Sequence, residues 1–415
     1  MTAALALRVF LPFALGYFLS YLYRTVNAVI APDLIADLGL DASDLGLLTA
    51  AYFLTFAAFQ LPLGMMLDHW GPRKIEAALL VFAAGGAALF AIAPNLPALI
   101  AARGLIGFGV SACLMAAFKA YVMWFPKERL ALVNGFQMMA GGLGALAATE
   151  PVEFALGFTD WRGVFWILAG LTLLSSLLVY TVVPERSREQ KAGERHPDAK
   201  LSDTWAGVVT VFKSPKFWRV APLCTLSQAA FISVVGLWSG PWLRDVAGFP
   251  RDQVTADLFW IAASMVAGFV LWGVAAERLQ KLYGIPTMTV ATIGMVSYFI
   301  VQLMIVAELP LGHPALVLGV WMAFGFFGTS GILPYAALSQ SFPAELAGRV
   351  NTALNVIVFV LAFVGQWAVG AVIDLWPQTA DGGFAPAGYQ AAFGGLSALQ
   401  AIALAWYVAR RKIKI

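Results

Sequence analysis

The feature that most constrains this chain is a series of twelve apolar runs, each close to the length of a bilayer-crossing helix. They fall near residues 9–31, 44–67, 75–94, 98–124, 131–157, 163–183, 218–243, 254–276, 286–307, 314–341, 349–373 and 388–409. A hydrocarbon core of about 30 Å takes roughly 20 residues of helix. Inside lipid every backbone polar group needs a protein partner, which leaves only helices and closed barrels as spanning structures. The runs are continuous rather than alternating, so they read as helices and not as barrel strands. Only 12% of residues are charged and 60% are hydrophobic, whereas soluble domains are about a quarter charged. Pro62, Pro151 and Pro334 fall inside runs, where neighbouring helices can bond the backbone groups they free. The expected class is an all-α polytopic membrane protein with twelve transmembrane helices.

The basic residues orient it. Assigning the even-numbered loops and both ends to one side collects 20 of the 26 Lys and Arg, from Arg8, Arg73 and Lys74 through to Lys414. The other side holds Arg162, Arg244 and Arg251, and its first loop is acidic, with Asp33, Asp37, Asp41 and Asp44. The excess of basic residues places both termini in the cytoplasm, as the even helix count also requires of two ends on one side. One basic residue, Arg8, precedes the first run, with no small-residue cleavage site and polar mature sequence after it, so that run reads as an uncleaved first helix. The long polar segment 184–217 divides the spans six and six, giving an N-terminal bundle over 1–183, a linker, and a C-terminal bundle over 218–415. Two readings of the linker stay open: a short helix on the inner leaflet carrying Trp205 and Phe212, or a disordered connection.

Internal repetition supports two homologous halves. FPKERLALVN (125–134) returns as FPAELAGRVN (342–351), each after the fourth helix of its half. The Gly64–Asp68 spacing returns at Gly273–Glu277, and Trp161-Arg162 with Phe165 is echoed by Tyr389-Gln390 with Phe393. Repeats of this kind in secondary transporters put the substrate site at the interface of the halves, near the bilayer midplane.

The loop after the second run, GMMLDHWGPRK (64–74), squeezes Asp68, Gly71, Arg73 and Lys74 between two membrane-length apolar stretches. It resembles motif A of the major facilitator superfamily. RGLIGFG, with Arg103, Gly107 and Gly109, looks like motif B on the fourth helix, and Gly135 with Gly144 like motif C on the fifth. The Gly-Pro that should end motif C is replaced by Ala148-Thr149, which argues against drug/proton exchange. The resemblance covers nearly the whole chain and implies two pseudo-symmetric six-helix bundles working by alternating access. It also implies that Asp68 and Arg73 meet Arg349, on the same membrane face of the other bundle, as a gate latch. A helix N-terminus near Asp68 would add about 0.3–1 kcal/mol.

Charges inside spans are costly and mark cavities or partners. Arg24 lies deep in the first helix, on one face with Tyr17, Ser20, Tyr21 and Asn27. YLYRTVNAVIAPDL locally resembles the first helix of anion:cation symporters and organophosphate:phosphate antiporters, where an arginine binds the anion. The antiporters add a second arginine from helix 7, and QAAFISVVGLWSGPWL has none, so a singly charged or carboxylate-type anion is expected. Against this stands a packing or carbonyl-capping role for Arg24. Lys119 either lines the inner end of the cavity or snorkels to the interface beside Trp124. The second half offers neutral groups: Gln228, Ser233, Trp238, Trp260, Tyr335, Asn355 and Gln366. Glu150 and Glu153 share the depth of Arg103, and a structural Arg103–carboxylate pair is the favoured reading, proton exchange at that pair the other.

Other classes are weaker. The net charge of +3 is small and scattered, which argues against nucleic acid. Cys113 and Cys224 both sit in apolar runs and form no disulfide framework. No metal spacing, cofactor motif, nucleophile elbow or P-loop appears around the three histidines, so no enzyme, metal or cofactor is expected. The expectation is a monomeric secondary transporter in the inner (plasma) membrane that moves a small organic anion, coupled to protons. The alternatives are an exporter of a lipophilic metabolite or drug, and a transport-inactive sensor of the same fold.

Overall fold

Loops of a few residues between apolar runs force successive helices to pack antiparallel, and the loop chemistry fixes where each begins. Asp41, Asn95 and Asp160 cap helix N-termini, accepting from the amides of Asp44 (2.7 Å), Ala98 (3.1 Å) and Gly163 (2.8 Å). Gly71 takes φ +82°, joining two spans through one residue, with Pro72 opening the next helix. The computed structural model describes residues 3–126, 129–184, 209–379 and 382–413. Residues 185–208 of the linker, Trp205 included, lie outside the described residues. Phe212 packs against Phe217 and Trp218 at the start of the second half.

The helices are α1 (Ala3–Thr25), α2 (Asn27–Leu38), α3 (Ala42–Trp70), α4 (Pro72–Ile92), α5 (Leu96–Val110), α6 (Cys113–Trp124), α7 (Leu130–Ala147), α8 (Glu150–Leu156) and α9 (Trp161–Val182). The second half holds α10 (Pro215–Ser233), α11 (Ser239–Asp245), α12 (Arg251–Tyr283), α13 (Thr287–Val306), α14 (Pro314–Gly328), α15 (Leu333–Gln340), α16 (Ala344–Ile373) and α17 (Pro386–Ala409). No strand occurs among the described residues. Eleven of the twelve runs are helices long and apolar enough to cross a membrane. The fifth run is completed by α7 and α8, with the helix broken at Ala148-Thr149 just before Pro151. A single uninterrupted helix was the expectation there. Pro151 has no N–H to donate back, and the break absorbs that loss.

The architecture is two six-helix bundles, and their likeness shows in where helices are interrupted. The first span breaks at Val26 and the seventh passes through a π-helical turn at Val234–Trp238. The fourth breaks between Val110 and Cys113, and the tenth through a 3-10 turn at Thr329–Ile332. The first and fourth spans of each half therefore carry irregular backbone at corresponding places. In a membrane such backbone is tolerated where it is buried in protein or lines a cavity.

The bundles meet along α3 and α16, α7 and α12, and α2 and α11. Glycine permits the closest of these contacts. A Cβ on Gly46 would lie 2.8 Å from the Gln366 carbonyl, one on Gly370 2.2 Å from that of Ala42, and one on Gly240 2.3 Å from that of Ala28. All three approaches lie toward the face opposite the chain termini.

Candidate functional site: a caged arginine between two bundles

Arg24 sits at the end of α1, only 9% exposed, with four aromatic rings around its guanidinium. Its Cζ lies 4.6 Å from the ring centre of Tyr21, 5.8 Å from Tyr52, 5.5 Å from Phe56 and 5.3 Å from Phe359. The first three rings belong to the N-terminal bundle and Phe359 to α16 of the other, so the cage straddles the interface. Ring quadrupoles attract a cation without neutralising it. No described carboxylate forms an ion pair with Arg24, and its Nε is buried with no hydrogen-bond partner. A planar, charged fork held by rings and lacking a counter-ion is suited to gripping a carboxylate or sulfonate.

Across the interface Tyr335 donates its hydroxyl to Asn355 Oδ1 at 2.9 Å. Tyr335 lies within electrostatic reach of Tyr21, and Asn355 is one helical turn before Phe359. Gln228 donates to the Gly328 carbonyl at 2.8 Å, with Gly331 packed against its amide. Tyr21, Lys119, Gln228, Tyr335 and Asn355 are all half-buried. The caged cation belongs to the N-terminal bundle and this neutral amide-hydroxyl group to the C-terminal one, with Asn355 one turn from the Phe359 ring of the cage.

The polar stripe expected on the first helix does not stay together. Tyr21 and Arg24 turn to the interface. Tyr17 meets Tyr21 edge to face and points its hydroxyl at Met138 Sδ, 3.8 Å away. Ser20 meets the Tyr52 hydroxyl at 3.3 Å, and Asn27 donates to Thr49 at 2.7 Å, both tying the first span to α3. Asn27 is thereby engaged by α3 and not by the interface. Trp238 is fully buried, donating to the Gln366 carbonyl at 3.1 Å and packing on Gly46. Trp260 is 51% exposed and faces outward. Ser233 is spent on the Ala362 carbonyl.

The expected Arg103–carboxylate pair is not formed. Arg103 is 1% exposed, donates Nη1 to the Tyr23 carbonyl at 2.7 Å, and lies over Phe90 and Phe165. Its Nε and Nη2 have no partner. Glu150 is exposed. Glu153, carried away by the break before α8, pairs instead with Arg251 Nε at 2.7 Å. Arg251 also grips Asp33 with both terminal nitrogens, at 2.9 and 2.7 Å. This ties α2 and α8 to α12 across the interface on the face opposite the termini. On the same face Asp374 of α16's end accepts from the amides of Ala42 (3.0 Å) and Ser43 (2.6 Å), holding the N-terminus of α3.

Near the other face, the Asp68 side chain lies outside the described residues. Arg73 donates to the Tyr180 carbonyl at 2.8 Å and lies over the Tyr180 ring, both within the N-terminal bundle. Arg349 is half-buried near the start of α16. A cavity of about 630 Å³ is an apolar groove along α3 and α5 lined by Leu47, Thr55, Phe59 and Phe108, and it includes none of the charged groups above.

Sequence reading overlooked Glu76. It is 0% exposed, and its one signal in the sequence is its place as the single charge, at the second position, of the run 75–94.

The sequence model described as Major Facilitator Superfamily matches residues 13–366. The chain is 26% identical to the probable sulfoacetate transporter SauU of Cupriavidus necator, over 81% of this chain and 79% of that one. It is 23% identical to the hexuronate transporter of Escherichia coli, over 65% of each. To the galacturonate transporter of Dickeya chrysanthemi it is 24% identical, over 65% of this chain and 81% of the relative. Among solved structures it is similar to the nucleoside transporter NupG (TM-score 0.77, 14% identity, 99% of this chain and 100% of that one). It is also similar to a bacterial homologue of the human lysosomal transporter Spinster in an inward-facing, unoccupied conformation (TM-score 0.74, 17% identity, 99% and 98%).

Proposed function

We propose, from the premise that this chain belongs to the Major Facilitator Superfamily, that it is a secondary transporter moving a small organic anion by alternating access, with protons as the coupling ion. The observation that carries this is the Arg24 guanidinium, caged by rings from both bundles and lacking a carboxylate partner. Relatives named for sulfoacetate, hexuronate and galacturonate transport support the same substrate class. One caged cation without a second arginine facing it suits a single anionic group. Tyr335, Asn355 and Gln228 would bond the organic body, and Lys119, farther toward the termini, would draw anions in.

The bundles over 1–183 and 218–415 would rock about this site, joined by the linker 184–217. The excess of basic residues on the face of the termini supports a cytoplasmic placement of both ends in the cell's inner membrane, and a monomer suffices to build the site. Asp68, with Arg73 and Arg349, would close the cytoplasmic face in the outward-open state. Arg251 with Asp33 and Glu153 would close the other face in the inward-open one.

Uptake of radiolabelled sulfoacetate and galacturonate by proteoliposomes tests the anion reading. Arg24→Ala should abolish uptake of whichever probe the wild type carries. Arg24→Lys, which keeps charge but loses the planar fork, should retain a weak fraction. Uptake unaffected by Arg24→Ala would overturn the reading and favour a lipophilic substrate, for which the apolar groove along α3 and α5 is the alternative route.

A further inference from the structure

Glu76 lies on α4 in the interior of the N-terminal bundle, 0% exposed, with both carboxyl oxygens lacking any hydrogen-bond partner. Room for its head group is built in at α1, where a Cβ on Gly16 would come within 2.4 Å of Glu76 Oε1 and 3.7 Å of Cys113 Sγ. No cation on the helices around it forms an ion pair with it, neither Arg24 of α1, Arg103 of α5 nor Lys119 of α6. On α6 the neighbours in electrostatic reach are Cys113 and Tyr121, and Tyr121 is already donating to Gln137. On α1, Tyr17 is turned to Met138 and Arg24 stands two turns away in its aromatic cage. Arg103 of α5 is turned to Tyr23, Tyr52 of α3 to Ser20, and the hydroxyls of Thr172 and Ser176 on α9 to carbonyls. An ionised carboxylate left in such a place without partner is costly, whereas the neutral acid is accommodated.

We propose that Glu76 is the residue that binds the coupled proton, in a site made by Gly16, Glu76 and Cys113 behind the anion site. This rests on the anion-transport reading above. Cys113 is within electrostatic reach of both Glu76 and Arg24, so the two sites share one layer of the bundle. The carboxylate takes one proton from water when the bundle is open to one side, forming a single O–H bond. It returns that proton to water when the site opens to the other. A neutral Glu76 leaves Arg24 as an uncompensated cation, and an ionised one sets a negative charge in the same layer of the bundle. At the effective dielectric of protein interiors that difference weakens anion binding about tenfold. Linkage is reciprocal, so bound anion favours the bound proton and the two travel together.

Two measurements on purified protein in lipid test this. The first is infrared difference spectroscopy of wild type and Glu76→Gln at neutral pH, with the proton itself as probe. A carboxylic-acid C=O band that shifts in D2O should be present in wild type and missing in E76Q. The second is transport of sulfoacetate and galacturonate with and without an imposed pH gradient. Wild type should accumulate its probe with the gradient, while E76Q still exchanges it but loses gradient-driven accumulation by about tenfold or more. An acid band unchanged in E76Q, or accumulation by E76Q equal to wild type, would overturn the proposal. Failure of the wild type to move either probe would count against the anion reading, and the infrared band would still decide Glu76.

Discussion

The two bundles differ in the charge of the polar groups they bury. In the N-terminal one, Arg24, Glu76 and Arg103 are buried with atoms that have no partner. In the C-terminal one, the fully buried polar side chains are mostly neutral, some bonded to each other and others, such as Gln366, Tyr298 and Trp321, also with atoms that have no partner. Gln302 donates to Ser397 at 2.9 Å and accepts from Gln400 at 2.7 Å, and Tyr335 is bonded to Asn355. The charged exceptions there lie toward the face opposite the termini. Asp245 is bonded to Arg244, Tyr389 and the Phe384 amide, and Asp257 is buried near the start of α12. Unpartnered buried charge is expensive and persists where a ligand or proton supplies the missing partner. The difference is one of charge: the first bundle buries two unpaired arginines and a carboxylate, and in the reading proposed above the second supplies the mostly neutral wall facing them.

The strongest way to break that division is to put charge on the neutral wall. Asn355→Asp places a carboxylate one turn from Phe359, where it would serve as a resident counter-ion for Arg24. Anion binding should weaken by two orders of magnitude or more, about 3 kcal/mol, with the protein still folded. Equal affinity in Asn355→Asp, measured by equilibrium binding of the transported probe, would mean that the wall does not face the cage.

Smaller effects are expected at the two gates, and they should have opposite signs. Arg251 is partly exposed, so its ion pairs contribute modestly. Arg251→Ala should favour opening of the face opposite the termini by about fivefold, near 1 kcal/mol, seen as a shift in spin-label distances across that face. Asp68→Asn should shift the population toward opening on the face of the termini, by a similar or smaller factor, and slow turnover. Shifts of the same sign in both variants would show that the two clusters do not act as alternate closures.

Much of the fold was legible because membrane burial writes itself along the chain. The twelve runs, the motif A loop and the repeat all follow from length, hydropathy and glycine placement. The site was legible only in part. Arg24 announced itself as a charge deep in an apolar run, and Tyr335 and Asn355, named as neutral groups of the second half, are hydrogen-bonded to each other. Asn27 shared its helical stripe, yet its amide is taken up by Thr49 of the neighbouring α3, a partner that spacing along one helix does not reveal. Arg103 and Glu153 share a depth, yet depth does not fix direction. The broken fifth span delivers Glu153 to Arg251. Glu76 was hidden because a carboxylate beside Arg73 and Lys74 reads as surface charge until Gly16 and Cys113 are packed around it.

The most direct test of the central claim is the melting temperature of purified wild type and Arg24→Ala, titrated with sulfoacetate, galacturonate and the uncharged sugar galactose. Mass action raises the stability of a folded state by about 2.7 kcal/mol at a hundredfold excess over Kd. The account predicts that at least one of the two anions raises the wild-type Tm in a concentration-dependent way. Galactose should leave it unchanged, and Arg24→Ala should respond to none of the three. Equal stabilisation of wild type and Arg24→Ala by the same anion would contradict it.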